Sequence, residues 1–328
     1  MSFIGKRFAQ LIPTLLGVVV ITFLIMRMIP GDPTSMAGGQ TISEDVRKRL
    51  RAEWHLDDPP LTQMWYYIKG IPKGDLGISM RFGTPVSERI GQHFARTIQL
   101  GLAAFFLSVT VGLSLGIIAA LMRDTWVDRT ILALALLGIS TPVFVVGIGL
   151  VMLAAALGYN YISGTGADSG FLVVPPLRGW NEGSELLPAL DLRYLVLPAI
   201  TLGSRSIAYL SRMTRSAVLE IANADFLRTA RAKGLTERAV VFKHQLRNAM
   251  IPITTVVGLS FADYLTGAIL TESVFQWPGL GFLVRKAIEF RDLPVIMGTV
   301  LFVTFLFVTI NFIVDILYAY FDPRIRYS

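Results

Sequence analysis

The chain has 328 residues, of which 53% are hydrophobic and only 16% charged, with a formal net charge of +7; its mean hydropathy is +0.58. A soluble domain carries roughly 25% charge, so the shortfall directs much of this surface away from water. The absence of cysteine excludes a disulfide framework, a zinc–thiolate site and a cysteine nucleophile, and the basic balance suits loops that orient a membrane protein rather than a nucleic-acid surface.

The start, Met1 to Arg7, is basic and leads into a long apolar run with no small-residue cleavage site after it. It reads as a retained first helix rather than a signal peptide. Six segments have the roughly 20 mostly apolar residues that a span needs. They run from about Phe8 to Ile29, Thr97 to Met122, Thr130 to Leu157, Tyr194 to Met213, Ala249 to Leu270 and Pro294 to Tyr320, the fourth being the most polar. Pro13, Pro142, Pro198 and Pro252 fall within these segments or at their ends, where a bundle can satisfy the freed backbone groups. Gly112 and Gly116 form a small-xxx-small pair suited to close helix approach.

Lys and Arg fix the orientation. Lys6 and Arg7, then Arg123 and Arg129, then the stretch from Arg215 to Arg247, then Arg324 and Arg326 all fall on one side if there are six spans. That side is the cytoplasm by the positive-inside rule, with both termini cytoplasmic. The loop Pro30 to Arg96 is external. Ser43 caps a predicted helix with Glu44 and Asp45 in its first turn, and Val46, Leu50 and Trp54 give it one apolar stripe. Pro59 and Pro60 end it, and Trp65, Tyr66 and Tyr67 suit a membrane interface. A second outer loop, about Gly158 to Arg193, has no clear period.

The stretch 215–247 reads RSAVLEIANADFLRTARAKGLTERAVVFKHQLR. Ala217, Val218, Ile221, Ala224 and Leu227 share one helical face, Ala230 and Gly234 present a small surface, and Gly234 breaks the helix. Thr236 caps a second helix, Glu237 to Leu246. The pattern is helix, glycine turn, helix, which fits a groove on a partner or a basic loop on anionic lipid headgroups.

Two ionisable residues lie inside spans, Arg205 in the fourth and Asp263 in the fifth. By helical rise both sit roughly 10–17 Å below the outer face. Such groups are costly in lipid and mark a functional site, here a substrate pathway or a structural pair. No phosphate-binding G-x-x-x-x-G-K-[ST] loop, HExxH, GxSxG or G-x-G-x-x-G occurs. This chain is therefore expected not to hydrolyse ATP itself. His55, His93 and His244 are far apart and are placed in loops, with no metal role expected.

The loop resembles the EAA motif of binding-protein-dependent ABC permeases, with Ala230, Gly234 and Leu246 at the matching positions. Arg228 and Thr229 replace that motif's Glu and first Ala, and Arg247 its Pro. These departures resemble the dipeptide/oligopeptide (peptide/nickel) branch, and its B-type dipeptide permeases above all, where RTARAKGL and LRNAMIP recur. LIPTLLGV, IPGDP, GDLGISM, RMTRSAVLE, TESVFQWPGLG and the ending DPRIR look like the same branch, in order along nearly the whole chain.

The resemblance implies an all-α membrane protein of the type I ABC importer (MetI-like) fold. Its parts would be a cytoplasmic terminus with the first span (1–29), a periplasmic cap (30–96), a core of helices 2–6 (97–321) holding the coupling loop 215–247, and a cytoplasmic tail (322–328). The coupling residues implied are Arg228, Thr229, Ala230, Arg231, Ala232, Lys233, Gly234, Leu235 and Leu246. Implied partners are a homologous second permease, two ATP-binding subunits carrying ATP and Mg, and a periplasmic or lipid-anchored substrate-binding protein in the bacterial inner membrane. Relatives of this type also carry nickel chelates, glutathione, haem or 5-aminolevulinate. A secondary transporter is the rival from another class, but no internal repeat supports it.

Overall fold

A computed structural model describes the backbone of residues 3–28, 48, 51–52, 55–156, 193–266 and 268–321, and the side chains of most of these. The proposed cap helix around Ser43, Glu44, Asp45, Val46, Leu50 and Trp54, the loop after residue 156, and the DPRIR ending all lie outside the described residues.

The described residues are helical apart from turns and one antiparallel bridge, Ile78 to Pro85. The helices are α1 (Phe3–Met28), α2 (Pro60–Gly70), α3 (Val86–Leu121), α4 (Trp126–Ser140), α5 (Val143–Ala156) and α6 (Arg193–Ala222). They continue as α7 (Asp225–Ala232), α8 (Leu246–Thr266), α9 (Ala268–Val274), α10 (Leu280–Glu289) and α11 (Leu293–Phe321). Two of them, α3 and the Leu293–Ile313 part of α11, are long and apolar enough to cross a membrane, and α4 with α5 makes a third if the pair is one span. The chain divides into two compact units, Met1–Thr97 with Pro278–Ser328, and Ile98–Trp277.

In the second unit α6 is the central element, touching α4, α5, α8 and α9. Glycine makes the approach possible. A Cβ on Gly116 would lie 2.5 Å from Thr214 Cβ and 2.6 Å from the Ser211 carbonyl oxygen, and one on Gly112 would lie 2.8 Å from Leu210 Cβ. The small-xxx-small pair thus seats α3 directly on α6. From the other helix Gly203 faces Ser108, whose hydroxyl donates to the carbonyls of Ala104 and Gly203 at 2.6 and 3.2 Å. Leu100, Ala104, Leu195, Leu202, Tyr264 and Trp277 fill the core above.

The third predicted segment is not one helix. α4 and α5 meet at a bend of 111°. Thr141, before Pro142, is extended (φ −86°, ψ 128°), as the residue before proline prefers. Pro142 cannot supply the amide that would continue the α4 ladder. The Thr141 hydroxyl bonds back to the Leu137 carbonyl at 2.7 Å. The fifth segment is likewise two helices, α8 and α9. Pro13, Pro198 and Pro252 lie inside continuous helices.

In the first unit, Val19, Met297 and Leu301 pack with Tyr67, Ile68 and Ile71, and Val86, Ile90, Leu283, Val295 and Ile296 form a second cluster. Pro60 opens α2 at its first position rather than only ending what precedes it, a site where its missing N–H costs nothing. Trp65 and Tyr66 are exposed, whereas Tyr67 is turned inward and burial pushes its phenol pKa up. After α2 the chain turns through Gly74, Gly77 and Gly83, all at positive φ. The buried Asp292 carboxylate accepts from Ser79 Oγ, from the Met80 amide at 3.1 Å and from the Arg81 amide at 3.3 Å.

Gly116→Ala is expected to lower the thermal unfolding midpoint in detergent, at an overpacking cost of about 1–3 kcal/mol. Gly17→Ala, whose new Cβ meets nothing within 4 Å, serves as the control and is expected to leave the midpoint unchanged or slightly raised.

Candidate coupling site

The helix that carries the 215–247 stretch ends earlier than the apolar stripe predicts. α6 stops at Ala222, the chain turns at Asn223, and Ala224 is extended (φ −69°, ψ 141°) before α7. α7 is short and strongly two-sided. Leu227 and Ala230 are buried with Val240 against Ile221, while Arg228, Thr229, Arg231 and Ala232 are exposed. Ala230 thus fills the inside of the turn instead of presenting a small surface.

The break at Gly234 stands where the sequence places it, with φ +79°. Lys233, Gly234 and Leu235 are exposed around it. Thr236 occupies the N-cap position but its side chain makes no capping bond. Instead, Arg231 grips Glu237 across the turn through two bonds, 3.0 and 2.8 Å. Each side chain moves the other's pKa by that contact, Glu237 downward and Arg231 upward.

The second helix also differs from expectation. After one α-turn (Glu237–Ala239) the chain widens into a π-helix, Val240–Gln245, before α8. The Leu246 amide bonds to the Val241 carbonyl, five residues back. π segments inside helices recur at functional sites. Here the widening accompanies a buried Gln245 whose Nε2 donates to the Val218 carbonyl of α6 at 3.0 Å. Leu246 is half-buried against Ala217, Val218 and Ala249. Phe226, Leu235 and Phe242 are left exposed on the outside. The result is a self-braced elbow with a small core, one ion pair across its tip and one carboxamide at its base.

About two helical turns before the end of α6, Arg215 forms a bidentate ion pair with Asp128 in the first turn of α4, Nε to Oδ1 2.6 Å and a second nitrogen to Oδ2 2.7 Å. Asp128 is buried and also accepts from the Asp124 amide at 3.0 Å. Thr125 caps α4 by accepting from the Asp128 amide. The Arg215 hydrogen bonds hold the Asp128 carboxyl below the usual carboxylate range, against the opposing effect of burial.

The structure does not bring every predicted residue together. Arg205 is exposed on α6, and among the described residues it has no ion-pair partner. Asp263 lies on the backbone of α8, but its side chain is outside the described residues. His55 is in a turn, as placed, but His93 is in α3 and His244 in the π segment, not in loops. Sequence reasoning missed Asp128, Glu237 and Gln245. Glu237 was findable from the Arg–turn–Glu spacing, whereas Asp128 meets Arg215 across 87 residues, a separation no periodicity reveals.

The arrangement is that of a helical membrane component with a braced loop between α6 and α8. Residues 112–327 match the family described as binding-protein-dependent transport system inner membrane component, and residues 1–101 match that family's N-terminal model. The chain is 42% identical over 339 residues to the dipeptide transport system permease protein DppB of Escherichia coli (strain K12). It is 41% identical over 337 residues to the di/tripeptide transport system permease protein DppB of Pseudomonas aeruginosa (strain UCBPP-PA14). It is 40% identical over 332 residues to a putative peptide transport system permease protein of Brucella abortus (strain 2308). Each alignment covers 100% of this chain and 99% of the relative. The chain belongs to the family of binding-protein-dependent transport system inner membrane components.

Arg215→Gln is expected to cost about 3 kcal/mol, the low end for breaking a buried pair because Arg215 itself is partly exposed. The pH dependence has a definite sign. Asp128's folded pKa is depressed, so its contribution is full above the ordinary carboxylate pKa and is lost as pH falls through the lowered value. The difference in unfolding midpoint between the wild type and Asp128→Asn, measured from neutral pH downward, is expected to shrink only below about pH 4.

Proposed function

We propose that this chain is one permease subunit of an ATP-driven importer that carries di- and oligopeptides across the bacterial inner membrane. Support for the substrate comes from full-length relatives named as dipeptide and di/tripeptide permeases. Support for the mechanism comes from one observation above the rest, the exposed and internally braced elbow between α6 and α8.

In this reading six spans place both termini and the elbow in the cytoplasm, and residues 30–96 form a periplasmic cap. A homologous second permease completes the pathway, two ATP-binding subunits hold ATP and Mg, and a periplasmic or lipid-anchored binding protein delivers substrate. The exposed side of α7 and the tip, from Arg228 to Leu235, seats on an ATP-binding subunit. Leu227, Ala230 and Val240 keep the elbow from folding flat under load. Gln245 and Arg215 tie its base to α6 and α4, so a push at the tip moves a bundle rather than a loop. Closure of the ATP-binding subunits biases that bundle between inward-open and outward-open states. Arg205 and Asp263 face the substrate pathway.

The assembled complex is expected to contain two ATP-binding chains and to take up a radiolabelled dipeptide into liposomes only with ATP. Gly234 supplies a finer check, because its replacement meets open space and fails only through its positive φ. A β-branched side chain there costs on the order of 1–2 kcal/mol, while Asn tolerates the conformation. Gly234→Val is expected to lower uptake per ATP hydrolysed several-fold and Gly234→Asn to keep most of it. Equal ratios in both variants and the wild type would remove the elbow from the mechanism.

A further inference from the structure

The central helix α6 changes character halfway along. From Leu195 to Ser204 no residue is exposed. From Arg205 onward the exposed residues are Arg205, Tyr209, Arg212, Ser216 and Glu220. At 100° per residue these five fall within an arc of about 80°, a single lane down one face of the helix. The opposite face is closed, with Ala208, Leu210, Ser211, Thr214, Ala217 and Val218 all buried.

The composition of the lane decides what it faces. The exposed sides of α4 and α5 carry Leu134, Leu137, Ile148 and Met152, which is what a lipid contact requires. The lane carries no aliphatic residue. Arg205 and Arg212 have no carboxylate partner among the described residues, and an unpaired guanidinium in a spanning helix faces a water-filled cavity or the bundle interior rather than lipid. By helical rise the two arginines are about 10 Å apart along the axis, with Tyr209 between them in the chain. An extended dipeptide is about 7 Å long. The spacing thus exceeds one dipeptide length by about 3 Å, so a carboxylate meets one guanidinium at a time. Glu220, about 12 Å further along, reverses the sign.

We infer that Arg205, Tyr209 and Arg212 form a carboxylate-binding lane, along which the C-terminal carboxylate of the substrate passes from one guanidinium to the next. Arginine suits the task because its planar fork takes a carboxylate through two parallel bonds. Two well-spaced sites of this kind each hold the group without trapping it, and the acidic Glu220 at the inner end favours its release. The inference rests on the proposed function for α6 as a span and for the peptide as substrate; the alignment of the lane residues rests on the geometry of α6.

The chain has no cysteine, so a single introduced one reports on one place in it. The test uses the complete transporter in nanodiscs with Tyr209→Cys, and Leu134→Cys as the lipid-facing comparison. Tyr209→Cys is expected to react about tenfold faster with an anionic sulfonate thiol reagent than with a cationic one, because the flanking arginines concentrate anions. Adding Arg205→Gln and Arg212→Gln is expected to bring the two rates close together. A dipeptide supplied during turnover is expected to slow the reaction, and its C-terminal amide to leave it unchanged. In proteoliposomes Arg205→Gln with Arg212→Gln is expected to lower dipeptide uptake about tenfold, while the double Lys variant keeps a larger share, as a charge without the planar fork would. A Tyr209→Cys thiol unreactive in every nucleotide state would mean that the second permease covers this face, and would overturn the lane. So would a reactive thiol without anion preference, equal protection by peptide and amide, or full uptake by the double Gln variant. If the wild-type complex took up no peptide yet the thiol showed the anion preference, the lane would stand and the peptide substrate would fall.

Discussion

Everything described in the Ile98–Trp277 unit depends on how near other helices come to α6. Gly112, Gly116 and Gly138 each put bare backbone where a side chain would collide with α6, and Gly203 does the same from α6 itself. In lipid there is no hydrophobic gain from bringing two helices together, so contact distance and packing density carry the association. Once α3, α4, α5 and α8 are seated, one strip remains uncovered among the described residues of α6. The polar lane is therefore what close packing leaves over. The same packing gives the elbow a firm foundation, because the elbow grows directly from the end of α6.

The elbow combines two kinds of stiffness. Its core of Leu227, Ala230 and Val240 excludes water from the angle between the limbs. Its polar contacts fix direction. The Arg231–Glu237 pair is exposed, and such pairs add little stability. Its value is geometric, since two parallel bonds hold the limbs at one angle. Asp128 and Arg215 differ, because removing Arg215 leaves the buried Asp128 charge with poor access to water. That asymmetry makes the base of the elbow costlier to disturb than its tip.

Much of this was legible in the sequence. The glycine break at Gly234, the close-approach pair Gly112 and Gly116, and the existence of helices in all six apolar segments follow from spacing and composition. What failed has a common cause. The bend at Pro142, the turn at Asn223 and the π segment at Val240 are places where tertiary contacts override a periodic pattern that continues across them. The apolar stripe from Ala217 to Leu227 runs through the Asn223 turn without a gap, because the end of α6 and the short α7 bury the same side. Likewise Asp128 and Arg215 each read locally as one more basic-loop charge, and only the fold makes them a pair. Arg205 was identifiable as costly in a span, but its alignment with Tyr209, Arg212 and Glu220 needed the burial pattern along the rest of α6.

The Asp292 carboxylate carries a consequence for biosynthesis. It closes the glycine-rich turn after α2 by binding Ser79, Met80 and Arg81, across 213 residues of chain in the case of Ser79. At a synthesis rate of roughly 5–20 residues per second, the ribosome delivers the acceptor roughly 10–40 s after its donors. Through that interval the Met80 and Arg81 amides lack this carboxylate as a partner. The turn near the start of the chain thus locks late, and its closure waits until synthesis has passed α10.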